Sequence, residues 1–265
     1  MFTLINLVQP DTVEEAYRVL TEKKSNAILG GCAFLKMGSK RIDTGIELSK
    51  LNLNYIKEDD SHIEIGAYTT FRDLEKSPIL NYYFNGVIPK SVADIIGVQF
   101  RSIVTLGASV YSKYGFSDLI PTLLTLNCEV ELFKGGRIPL EEFLKSAYEK
   151  DILTKIFLKK NHRIAVYKNL RNSKSDYSIL NVSVSNIDSK YIIAVGARPA
   201  VAKIAKKASE YLNHGNINED TLEKASNIAA EELDFGDNMR GSAEYRKAMC
   251  CVLVKRALKE VLECR

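Results

Sequence analysis

At 265 residues the chain can hold one large domain or two to three small ones. Apolar residues at 46% and charged residues at 26% are ordinary for a globular protein and exclude collagen, coiled coil and wholesale disorder. The 37 basic and 33 acidic side chains leave a net charge of +4, too weak a bias to indicate nucleic acid as a partner, and no apolar run approaches the ~18 residues of a membrane span.

In chain order, MFTLINLVQPDT carries no basic stretch ahead of an apolar one, so no signal peptide is expected. Thr12-Val-Glu-Glu15 has the form of a capping box and opens a helix through about Leu20, with Pro10 just ahead of it. Ala27-Ile28-Leu29 reads as a short strand ending abruptly in Gly30-Gly31, and Gly45–Leu48 as a second strand. Tyr55-Ile-Lys-Glu and His62-Ile-Glu-Ile-Gly66 flank Asp59-Asp60-Ser61 as a hairpin, and Thr70-x-x-Asp73 caps a short helix. Pro89 opens a helix over Lys90–Ile96. Arg101-Ser-Ile-Val-Thr-Leu-Gly107 reads as a buried strand arriving at another glycine. Leu119–Leu126 is an apolar helix with Pro121 in its first turn, where proline is tolerated. Cys128–Phe133 alternates as a strand, Gly135-Gly136 turns it back, and Ile152–Leu158 is a further strand.

Lys159-Lys160-Asn161-His162 is a polar break, and the rhythm changes beyond it. Arg163–Lys168, Tyr177–Ser185 and Tyr191–Gly196 form a meander, followed by helical stretches. In the last of these, Tyr245, Met249, Leu253, Ala257 and Val261 make one apolar stripe. Strands followed by helices predict an α+β domain.

The five cysteines, Cys32, Cys128, Cys250, Cys251 and Cys264, contain no C-x-x-C pair and stand apart from His62, His162 and His214. An odd count argues against a disulfide framework, and the spacing against zinc or an iron–sulfur cluster held by this chain alone. The compartment therefore reads as reducing and cytoplasmic. No metal site and no catalytic side-chain constellation is expected.

The informative features are Leu29-Gly30-Gly31-Cys32-Ala33-Phe34 and Thr105-Leu106-Gly107-Ala108-Ser109-Val110. Glycine after a strand lets successive backbone N–H groups face outward as an anion-binding nest. Two such nests can grip a dinucleotide's phosphates from two sides. The plainer alternative is that both are only turns.

These segments resemble those of the FAD-binding subunit of the molybdenum hydroxylases, the family of xanthine dehydrogenase and carbon monoxide dehydrogenase medium subunits. The resemblance runs nearly end to end. The family's first loop is A-G-G-[T/N/H]-[D/S]-L, matched by Leu29-Gly-Gly-Cys-Ala-Phe34. Its second is T-[I/V/L]-G-G-N-[I/L] followed by D-x-x-P-x-L-x-x-L, matched by Thr105–Val110 and by Asp118-Leu-Ile-Pro121-Thr-Leu-Leu-Thr-Leu126. Arg240-Gly241-Ser242-Ala-Glu-Tyr245-Arg246 is similar to the family's R-G-S-x-x-Y-R, and Tyr167-Lys168 through Asp176-Tyr-Ser-Ile to its K…D-x-[A/S]-x-[V/L].

The resemblance implies a vanillyl-alcohol-oxidase-type (PCMH) FAD-binding domain over 1–160, with α/β subdomains of about 1–53 and 54–160, and a C-terminal domain over 161–265. It implies that Gly30, Gly31 and Gly107 act as backbone donors to FAD, with Leu29, Cys32, Ala33, Phe34 and Ala108 in contact. Thr105, Ser109 and Ser112 supply hydroxyls, Asp118 contacts the nucleotide, and Leu153 and Lys168 lie near the flavin ring. Each has a structural alternative: strand-end hydrogen bonding for the hydroxyls, a helix cap for Asp118, a buried strand residue for Leu153 and a solvated surface cation for Lys168. The partners implied are a molybdenum-cofactor subunit, a two-cluster iron–sulfur subunit, and NAD or another electron acceptor.

Four residues depart from the pattern. Cys32-Ala33 replaces a polar pair, Ala108 replaces the second glycine, and Ser109 replaces asparagine. Ala108 is expected to be strained if its φ is positive, and the lost contacts to weaken FAD by about 1–3 kcal/mol. Two other readings follow: a degenerate scaffold subunit with weak or no FAD, and a free-standing flavin oxidase. The latter is disfavoured by the short chain and by the lack of a histidine in either loop.

Overall fold

A computed structural model describes residues 1–147 and 150–264. By contacts the chain separates into two units: Met1–Leu74, Gly97–Ser112 and Glu129–Leu158 form the first, and Glu75–Ile96, Lys113–Cys128 and Lys159–Arg265 the second.

The first unit begins with a strand, Thr3–Val8, which pairs in parallel with Arg41–Glu47; that strand pairs in parallel with Ala27–Leu29 on its other side. The Thr12 hydroxyl accepts from the Glu15 amide at 3.1 Å, and the Glu15 carboxylate accepts from the Asp11 amide at 3.1 Å. These bonds start the Val13–Glu22 helix, which buries Ala16 and Leu20 against Ile46 and Leu48. At its other end the Lys150 ammonium donates to the carbonyls of Leu20, Lys23 and Asn26 at 3.0, 2.6 and 3.0 Å. A cation there satisfies the terminal carbonyls and complements the helix dipole.

The rest of the first unit is a five-stranded sheet in the order Ile56–Glu58, His62–Gly66, Leu153–Lys159, Glu129–Leu132, Gly136–Pro139. The expected hairpin forms, with the Asp59 carboxylate accepting from the amides of Ser61 and His62, both at 2.7 Å. The Thr70/Asp73 cap is reciprocal, each side chain accepting from the other residue's amide.

Arg101–Gly107 is not a strand. Short helices, Val98–Arg101 and Leu106–Tyr111, flank a turn, and Thr105 caps the second of them by accepting from the Ala108 amide at 3.3 Å. The apolar, β-branched run mimics a strand, but a threonine three residues ahead of Ala108 offers the backbone a cap instead.

In the second unit a four-stranded antiparallel sheet runs Lys203–Ile204, Lys190–Gly196, Leu180–Ile187, Ile164–Leu170. Leu180–Ile187 is buried on both faces. Leu180, Val182 and Val184 point into the core with Cys250, Leu253, Val254, Ala257, Leu258 and Val261 of the Ala243–Glu263 helix. Their alternating neighbours are polar and meet the Leu119–Thr125 helix region: Ser183 and Thr125 share a hydroxyl bond at 3.0 Å, and Ser185 donates to the Thr125 carbonyl at 2.7 Å. Of the stripe expected on the last helix, Leu253, Ala257 and Val261 are buried and Met249 packs against the core, while Tyr245 is 44% exposed and Arg246 beside it is buried instead.

That burial accounts for the R-G-S-x-x-Y-R stretch. The Arg246 guanidinium donates to the carbonyls of Ile179, Gly236 and Gly241 at 2.9, 2.6 and 2.5 Å and to Asn238 Oδ1 at 2.6 Å. Ser242 caps the helix by accepting from the Tyr245 amide at 3.1 Å.

Candidate functional site

In open α/β sheets ligands bind beyond the carboxyl ends of parallel strands. All three parallel strands of the first unit run the same way, and Gly30–Phe34 leaves from the carboxyl end of Ala27–Leu29, whose last residue, Leu29, is buried and paired in register with Glu47. Gly31 has φ +74° and Cys32 φ +57°. Phe34 is right-handed and leads into the Leu35–Met37 turn. Left-handed residues running into a right-handed turn are a setting in which successive amides form a concavity for anions. Among the described residues the amides of Gly31, Cys32 and Ala33 donate to no protein acceptor. Gly30 through Leu35 are all half-buried.

The second loop lies against the first. A Cβ on Gly31 would fall 1.7 Å from the Ile103 carbonyl oxygen, and one on Gly30 would fall 2.6 Å from the Ala108 Cβ and 2.9 Å from the Thr105 Oγ1. Both glycines are therefore required by the approach of residues 103–108.

The second loop does not present amides as expected. Leu106 donates to the Thr69 carbonyl at 2.8 Å, Gly107 to Ala67 at 2.7 Å and Ser109 to Thr105 at 3.1 Å, while the Ala108 amide goes to the Thr105 hydroxyl. Gly107 is a glycine because a Cβ would sit 2.8 Å from the Ala67 Cβ and 2.9 Å from its carbonyl oxygen. Ala108 is helical rather than left-handed, so the expected strain is absent; its methyl group packs over Gly30. Ser112 is exposed.

Leu153 is a buried strand residue, and its neighbour Thr154 accepts from the Ala67 amide at 2.9 Å. A continuous ladder thus runs from the Leu153 strand through Ala67 to Gly107. Ala67, Thr69 and Ile103 hold the loops in place, and no local motif marks them. Glu47 was also missed: its carboxylate accepts from Gln9 at 2.8 Å and from the Tyr68 and Ser49 hydroxyls. Burial pushes Glu47 up, but these bonds outweigh it and hold the carboxyl below its ordinary range. Burial pushes the Cys32 thiol up, and the Lys36 charge draws it partly back.

Asp118 and Lys168 belong to the second unit. Asp118 Oδ1 accepts from the Tyr167 and Ser178 hydroxyls, both at 2.5 Å, and from Asn181 at 3.0 Å; Oδ2 faces the Arg171 guanidinium at 2.9 Å. The expected helix-cap bond from its side chain does not form. Lys168 pairs with Glu260 of the last helix, so its charge is balanced there. Among the described residues no group of three or more His, Cys, Asp or Glu side chains is placed to hold a metal ion.

The model for the FAD binding domain in molybdopterin dehydrogenase matches residues 2–160, and that for the CO dehydrogenase flavoprotein C-terminal domain matches 165–261. The nicotine 6-hydroxylase medium subunit of Paenarthrobacter nicotinovorans is 26% identical, over 97% of this chain and 96% of its own length. An uncharacterized Escherichia coli K12 protein, YgfM, is 24% identical over 93% and 92%. The structure of carbon monoxide dehydrogenase from Hydrogenophaga pseudoflava lacking the Mo-pyranopterin moiety superimposes with a TM-score of 0.90 at 21% identity, covering 98% of this chain and 97% of that one. That superposition speaks to the fold.

Proposed function

The chain belongs to the family of FAD-binding, medium subunits of the molybdopterin dehydrogenases, and from that premise we propose that it carries electrons between an iron–sulfur partner subunit and an acceptor such as NAD. As a member it is an oxidoreductase subunit with the PCMH-type fold and an FAD site. The open amides of Gly31, Cys32 and Ala33, at the carboxyl end of a parallel strand, carry the assignment of the phosphate site. Bound FAD supplies a redox couple that links one-electron carriers to two-electron acceptors. The chain's own work is to hold the diphosphate through those amides, and to keep the cup rigid through Ile103, Thr105 and the Ala67–Gly107 bond.

The organic substrate belongs to a molybdenum-bearing partner in this reading, so no residue of this chain selects it. Domain limits of 1–160 and 161–265 go with the reading, supported by family matches that break between residues 160 and 165. A reducing, cytoplasmic setting is consistent with five cysteines of which none is disulfide-bonded. No helix among the described residues is long and apolar enough to cross a membrane.

One observation favours the scaffold alternative: the second loop's amides and the Asp118 carboxylate are already committed to protein partners. Absorbance separates the readings. The purified chain is expected to take up FAD and show flavin bands; a protein that stays colourless, and whose melting temperature FAD leaves unmoved, is the scaffold.

Cys32 is the weak point of the cup. A residue with a Cβ at φ +57° costs about 1–2 kcal/mol relative to one at ease in the left-handed region. Asparagine tolerates that region and restores a hydrogen-bonding side chain. Cys32→Asn is expected to tighten FAD about tenfold in a fluorescence titration, equivalent to about 1.4 kcal/mol.

A further inference from the structure

A dinucleotide's diphosphate brings about two negative charges to whatever holds it. The cup that faces it has only partial charges to offer. The Gly31, Cys32 and Ala33 amides are available, but the side chains at 32 and 33 are a thiol and a methyl group. The adjoining loop adds no amide from residues 106–109. The nearest carboxylate in register, Glu47 opposite Leu29, opposes an anion. A site built this way lacks a full positive charge.

One residue of the loop supplies it. The Lys36 amide donates to the Cys32 carbonyl at 3.0 Å, which sets Lys36 one turn beyond the open amides. Its side chain is exposed, and among the described residues no carboxylate pairs with its ammonium. By contrast Lys23, Lys50 and Lys150 are engaged, with Asp43, with Asp11 and with the carbonyls that end the first helix.

Resting on the FAD reading above, we propose that Lys36 is a phosphate-positioning cation that closes the 31–33 amide cup and offsets the missing side-chain donors at 32 and 33. A free ammonium over a partly buried diphosphate makes a charge-assisted contact without breaking an existing ion pair. It also makes binding depend on salt, since an exposed charge is screened.

The test measures FAD and ADP affinity of the full chain by titration at low and high sodium chloride, for the native protein, Lys36→Gln and Lys36→Arg. ADP carries the same diphosphate without a flavin. Lys36→Gln is expected to weaken both ligands by the same factor, about tenfold at low salt, and to flatten the salt dependence. Lys36→Arg is expected to bind as the native chain does. The ligand-free melting temperature should not move in either variant, because the ammonium holds no protein partner. Native-like affinity and salt dependence in Lys36→Gln overturn this proposal alone. A loss confined to FAD also overturns it, since the cation then acts on the flavin. A native chain that binds neither FAD nor ADP overturns the FAD reading and this proposal together.

Discussion

Gly31→Val is expected to yield a folded but colourless protein. At φ +74° the position already excludes β-branched residues, and the new Cβ would fall 1.7 Å from the Ile103 carbonyl oxygen. That oxygen is backbone, followed by Val104, whose carbonyl accepts from the Phe71 amide at 3.0 Å, so it cannot step aside cheaply. The glycine loop must move instead, and the amides of residues 31–33 move with it. A loss of at least 100-fold in FAD affinity is expected, which is about 2.7 kcal/mol. Gly30→Ala is the graded control. Its Cβ would meet the Ala108 methyl at 2.6 Å, a side-chain atom, so Ala108→Gly in the same chain should recover part of the loss. Flavin content unchanged in Gly31→Val would remove the first loop from the phosphate site.

The contrast between the loops shows what sequence carries and what it does not. The Thr12 and Thr70 caps, the Asp59 hairpin and the strand into Gly30-Gly31 are local: each is settled by residues within a few positions, so each is legible. The first loop's open amides follow from the same local chemistry. The second loop is decided elsewhere. Ile103, Val104 and Leu106 have a strand's composition; the Ile103 and Val104 amides turn back to the Phe100 carbonyl, and the bonds that place the loop join Val104 to Phe71, Leu106 to Thr69 and Gly107 to Ala67, far back in the chain. The lack of a side chain at Gly107 admits Ala67, while the amide expected to face FAD is spent on the Ala67 carbonyl. Leu153 and Lys168 show the same limit. A buried strand residue and a lysine paired with Glu260 have ordinary sequence surroundings, and only the fold says what they touch.

Asp118 is where this limit has the largest energetic consequence. The D-x-x-P-x-L-x-x-L match directs attention to the nucleotide, yet the carboxylate is surrounded by protein donors from residues far ahead in the chain: Tyr167, Arg171, Ser178 and Asn181. Oδ1 accepts from three of them, Tyr167, Ser178 and Asn181, and Oδ2 forms an ion pair with the Arg171 guanidinium. The Asp118 and Arg171 side chains are each 6% exposed, so neither charge can turn to water if the other is lost. Burial and the Asp118 charge also push the Tyr167 hydroxyl well up, so Tyr167 stays a donor. Asp118→Asn is therefore expected to cost about 3–5 kcal/mol, because it leaves a buried guanidinium without its counter-ion. The ligand-free chain should melt about 10 °C lower. Adding Arg171→Met removes the stranded charge and is expected to recover at least half of that loss, which a merely additive pair would not do. In the folded fraction of Asp118→Asn, FAD affinity is expected to change by less than about threefold, since the carboxylate is buried and both of its oxygens face protein partners. The opposite pair of results, an unmoved melting temperature and a lost flavin, would turn Asp118 from a structural hub into a nucleotide ligand.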